Sequence, residues 1–136
     1  MTNTLQLTVL PARLAVCRLP ARTALPTWAS NVNEYPFLSI TQTADELSVV
    51  ADQKSVPADV QADYDWRAIK VMGPLDFALV GILASLAGTL ADASVSLFAI
   101  STYDTDYLLV KEETLERALS ALREAGHTVE TEADEK

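Results

Sequence analysis

Ser101-Thr102-Tyr103-Asp104-Thr105-Asp106 sets two carboxylates, two threonine hydroxyls and an aromatic ring within six residues. Such a set suits a cationic or polar group, because carboxylates accept charge-assisted hydrogen bonds and hydroxyls both donate and accept. A second group lies at Asp76 and Val80-Gly81-Ile82, just where an apolar helical pattern begins. Unpaired amides at a helix start attract a carboxylate, and a glycine removes the side chain that would block its approach. In this reading the N–H groups of Val80, Gly81 and Ile82 can hold a ligand carboxylate, while Asp76 can pair with a ligand ammonium. Structural alternatives stand beside each assignment. Gly81 also permits close helix packing, Asp76 is a good helix cap, and Asp104 suits a turn tip for conformational reasons.

The remaining reactive residues point to structure. Cys17 alternates within a short strand and reads as a small core residue, with no paired histidine to activate it. His127 follows a helix-ending glycine and reads as a surface or capping residue; Trp28 and Trp66 read as core or interface anchors. One cysteine and one histidine cannot form a zinc cluster, so no metal and no cofactor are expected. A metal-dependent enzyme using Asp76, Asp104 and Asp106 is the least favoured alternative, since histidines and a phosphate loop are lacking.

These residues need elements to hold them. Leu5–Leu10 alternates as a strand that Pro11 should stop, and Leu14–Leu19 reads as a second strand ended by Pro20. Ala24–Ser30 has room for one or two helical turns, and 37–43 with 46–51 reads as a hairpin. Residues 52–65 are polar and form the best boundary, followed by a strand at Trp66–Met72. Leu79, Ile82, Leu83, Leu86 and Leu90 then share one helical stripe. Two strands, Val95–Ser101 and Thr105–Lys111, precede a second helix marked by Leu115, Ala118, Leu119 and Leu122 and stopped by Gly126. A short strand at His127–Glu130 closes the pattern. From Trp66 the order is β-α-β-β-α-β, the ferredoxin-like split βαβ arrangement, which predicts a four-stranded antiparallel sheet with both helices on one face. The first half repeats the strand pattern with its helices cut short. The fold class is therefore α+β, with two ferredoxin-like units: a degenerate one at 1–60, an intact one at 61–130, and a frayed charged tail at 131–136.

With 136 residues, 49% hydrophobic and 21% charged, the chain can build a core without staples. Residues 1–44 hold one acid, Glu34, against three arginines, and the rest hold 18 acids against 7 bases, which gives the net −9. Such a surface repels phosphates, so no nucleic-acid partner is expected. No stretch reads as a membrane span, and the lone cysteine suits a reducing compartment, so the expectation is a cytoplasmic protein with no membrane partner.

The runs DFALVGILASLA and LADASVSL resemble the signature of ACT domains, small-molecule-sensing regulatory modules of this same β-α-β-β-α-β order. FLSITQTADELSVV, GPLDFALVGILASL and AISTYDTDYLLVKEE together resemble the tandem-ACT group that includes the CASTOR arginine sensors and their small bacterial relatives. The resemblance implies two ACT units, no catalysis, and an amino-acid ligand where ACT units meet. It makes Asp106 the counterpart of the acid that contacts ligand in the arginine-sensing relatives, with Thr102 and Tyr103 beside it. Val80-Gly81 stands where many ACT domains have Pro-Gly. The expected protein is a homodimer or larger homo-oligomer that senses an amino acid; the alternative is an oligomeric scaffold without a ligand.

Overall fold

A computed structural model of the chain describes residues 4–30, 37–72 and 81–132. Its strands are β1 (Gln6–Pro20), β2 (Ser39–Gln42), β3 (Glu46–Asp52), β4 (Gln61–Val71), β5 (Phe98–Ser101), β6 (Asp106–Lys111) and β7 (Thr128–Thr131). The α-helices are α1 (Ile82–Asp92) and α2 (Leu115–Glu124), giving a mixed α+β fold. Two compact units result: Met1–Pro11 with Arg67–Lys136, and Ala12–Trp66. The division therefore falls inside β1 and inside β4, whereas the sequence reading places it at residue 60 and assigns the first strand to the first unit.

In the unit containing both α-helices, the strand order is β7-β1-β4-β6-β5. The expected four-stranded antiparallel sheet is corrected here: Gln6–Val9 of β1 pairs in parallel with Thr128–Thr131 of β7 and lies between β7 and β4. Alternation explains why the segment belongs there, since Leu7 and Val9 join Ile69, Val71, Leu108 and Val110 in one core beneath the helices. Ile82, Leu86 and Leu90 of α1 and Leu115, Ala118, Leu119 and Leu122 of α2 complete that core. Both helices end in the same way. After α1 the Val95 N–H bonds the Leu90 carbonyl and Ser94 N–H the Ala91 carbonyl; after α2 His127 N–H bonds Leu122 and Gly126 N–H bonds Arg123. These are paired Schellman bonds, with Gly126 (φ 101°) and, less usually, Ser94 (φ 61°) in the left-handed position. The tail is ordered further than anticipated, because Thr131 is in β7 and Glu132 N–H bonds the Val9 carbonyl at 2.9 Å.

Pro11 does not stop β1. Its ring suits extended backbone, and only its missing N–H interrupts a ladder. Arg67 supplies donors beside the gap: Nε and Nη2 bond the Leu10 carbonyl at 3.3 and 3.0 Å, and Nη1 reaches Glu112 Oε1 at 3.1 Å.

In the unit formed by Ala12–Trp66, β3 pairs antiparallel with β1 on one side and β2 on the other. The β2–β3 hairpin agrees with the expectation, and Thr43 closes it by accepting the Asp45 and Glu46 amides at 3.1 and 3.2 Å. Ala15, Cys17, Ala29, Leu47, Val49 and Ala51 form the core, with Trp28 packed against it. Burial pushes the Cys17 thiol up to about 11, which keeps it protonated and inert. The helical content among the described residues is two 3₁₀ turns, Thr27–Ala29 and Gln53–Ser55. β4 starts at Gln61, five residues before the expected Trp66, because half-buried Ala62 and Tyr64 alternate with exposed acids. Asp65 has φ 68° there, and Gln53 braces it, accepting its amide at 2.8 Å and donating to its carboxylate at 3.2 Å.

Candidate functional site

The α1 start is built on Gly81. It occupies the N-cap position with φ 82° and ψ 6°, a left-handed conformation that side-chain-bearing residues rarely adopt. Among the described residues nothing lies within 4 Å of where a Cβ would be, and the positive φ is what calls for glycine here. Its carbonyl accepts the Ser85 N–H at 2.8 Å, which begins the helix. Gly81 brings no side chain to cap the orphan amides of the first turn. Ile82 is the first helical residue and buries its side chain in the core, leaving its amide at the helix start. Asp76 and Val80 lie outside the described residues.

The β5–β6 hairpin lies in the same unit and gathers Ser101, Thr102, Thr105 and Asp106. Thr102 N–H donates to the Thr105 carbonyl at 2.8 Å, and Thr105 N–H returns a bond to Thr102 Oγ1 at 3.2 Å. Asp106 is half-buried and accepts the Ser101 hydroxyl at 2.5 Å through Oδ1. Asp104 is exposed at the tip, and Tyr103 is 82% exposed. Ser101 was not among the expected site residues, though the Ser101↔Asp106 register puts it opposite the acid. The Thr105 hydroxyl, one of the two the sequence offers to a polar ligand, is instead buried and donates to the Val71 carbonyl at 2.5 Å.

His127 corrects the sequence reading. The left-handed Gly126 turns the chain inward, so His127 is 5% exposed rather than at the surface. Its Nδ1 accepts the Leu5 N–H at 3.1 Å, which puts the ring hydrogen on Nε2, and that atom is buried without a hydrogen-bond partner among the described residues. Burial lowers its pKa below the ordinary 6.5. As pH falls below 6.5 the unfolded chain takes up this proton first, so the histidine's stability contribution is complete above that value and declines on acidification toward the lower native pKa. Urea unfolding from pH 7.5 to 5.5 should show this slope, and His127→Asn should flatten it. An equal slope in the variant would assign the acid sensitivity to other groups.

From β4 onward the element order is β-α-β-β-α-β, with one helix started by a left-handed glycine and a polar β5–β6 hairpin in the same unit. The ACT domain family model matches residues 61–124, and the model of an N-terminal domain family matches residues 13–59. Residues 61–124 belong to the ACT-domain family. The chain is similar to the cytosolic arginine sensor for mTORC1 subunit 1: 33% identical to the rat protein over 96 residues, covering 65% of this chain and 29% of the sensor. The human sensor matches at 33% over 95 residues, again 29% of its length. The chain thus spans under a third of these curated relatives. A crystal structure of a protein from Agrobacterium tumefaciens is similar over 99% of this chain and 98% of its own, with 35% identity and a TM-score of 0.91. The regulatory subunit of aspartate kinase from Thermus thermophilus shares the fold at TM-score 0.58 and 12% identity, over 88% of this chain and 96% of that one. No helix among the described residues is long and apolar enough to cross a membrane.

Proposed function

We propose that the chain is a non-enzymatic regulatory module that senses an amino acid, arginine being the first candidate. What carries the reading is Gly81, whose left-handed N-cap leaves helix-start amides to a carboxylate. Similarity to the arginine sensors supports it. Val80, Gly81 and Ile82 hold the α-carboxylate and Asp76 the ammonium, while Thr102, Tyr103 and Asp106 meet the ligand side chain. The Ala12–Trp66 unit is a degenerate counterpart of the ACT unit, its helices reduced to short turns. The site is completed where two copies of the chain meet, and the ligand acts by favouring one arrangement of the copies, through its difference in affinity between the two states.

A thermal-shift screen against the twenty amino acids tests this. A ligand at 100 times its dissociation constant adds about 2.7 kcal/mol, a rise of several degrees in Tm. Arginine should give the largest shift. No shift from any amino acid at millimolar concentration would replace the sensor with a scaffold that has no ligand.

A further inference from the structure

Thr105 sits one residue before β6, at the point where the hairpin leaves its ladder. It is 4% exposed, a buried hydroxyl in a segment otherwise turned to solvent: residues 101–104 are all exposed. Every polar group it carries is engaged. Its amide donates to Thr102 Oγ1, its carbonyl accepts both the Thr102 amide and hydroxyl, and its own hydroxyl donates to Val71 at 2.5 Å. Three of these bonds shape the turn from within, and only the hydroxyl bond fastens it to another strand.

The receiving carbonyl belongs to the last residue of β4. The next residue, Met72, is itself fixed, donating its amide to the Gln6 carbonyl at 2.9 Å. Thr105 therefore ties the turn to a strand end that β1 already holds. The turn so tied carries Thr102 and Tyr103 and leads into Asp106. A binding site works only when its members are held to about 0.5 Å.

We propose that Thr105 is a positioning residue, whose buried hydroxyl pins the hairpin tip to the end of β4 and so holds Thr102 and Asp106 in place for a ligand. This rests on the sensor reading for its ligand, though the pinning itself belongs to the empty protein. Thr105 touches no ligand; it acts through the turn it holds.

Thr105→Val keeps the shape and removes the donor, and Thr105→Ser keeps the donor. Amide hydrogen exchange on the full chain without ligand should quicken at least tenfold at residues 101–106 in Thr105→Val, with α2 and β3 unchanged, and return to the wild-type rate in Thr105→Ser. L-arginine titrated calorimetrically should bind Thr105→Val about tenfold more weakly than wild type or Thr105→Ser. Unchanged exchange at 101–106, or a uniform rise across the chain, overturns the pinning. Faster local exchange with undiminished arginine affinity overturns the link to binding. If the wild-type chain binds no arginine, the sensor reading fails for that ligand while the exchange result still decides the pinning.

Discussion

Asp106→Asn is expected to weaken arginine binding by roughly ten- to a hundredfold, the range set by losing a charge-assisted hydrogen bond of about 1.5–3 kcal/mol. The substitution is conservative for the empty protein. Ser101 donates to Oδ1, and an asparagine carbonyl placed there accepts the same bond, so the internal bond survives while the charge and the second acceptor oxygen are lost. Calorimetric titration should show the loss, and the Tm of the ligand-free chain should stay within a degree or two. Asp104→Asn, at the exposed tip, should change affinity little. A variant at 106 that melts early yet binds normally would make the acid a turn-stabilising residue and remove it from the site.

The second large effect is in the core. Leu86 is fully buried at the middle of α1, one turn from both Ile82 and Leu90. Leu86→Ala removes three methyl or methylene-scale groups from a packed interior and leaves a cavity, for an expected loss of about 2.7–5 kcal/mol in urea unfolding. That is a large fraction of the stability of an ordinary domain. Leu83→Ala, at a half-buried position on the same helix, should cost clearly less. Equal losses at the two sites would mean that α1 presents a different face to the sheet.

What the sequence made legible is what depends on near neighbours. The stripe from Ile82 to Leu90, the one from Leu115 to Leu122 and the 39–50 hairpin all stand where periodicity and turn chemistry place them. Errors gathered where distant residues decide the outcome. Pro11 lacks a donor, and nothing local says that Arg67 will bond the neighbouring carbonyl. Gln61–Asp65 looks like a polar boundary until the alternation of Ala62 and Tyr64 is weighed above the acids between them. His127 looks like an exposed polar residue, and only the Leu5 amide gives its ring a reason to be inside. For the candidate site, the hairpin's residue types were legible, but the division of labour within it was not. Ser101 orients the acid and Thr105 grips β4, and both roles depend on which strand lies opposite.

The parallel pairing of β1 with β7 also governs the order of assembly. Leu5 and His127 are 122 positions apart, and β1 finds its parallel partner only at Thr128–Thr131. During synthesis the β1 edge beside Leu7 and Val9 is unfilled until residues 128–131 emerge, whereas β1 can zip with β3 once Asp52 is out. The inserted segment can thus mature while the unit around it is still open. Contacts this far apart in sequence slow folding and prolong the exposure of an unpaired apolar edge. The unit that carries both helices therefore closes only after the whole segment between its two parts has been made.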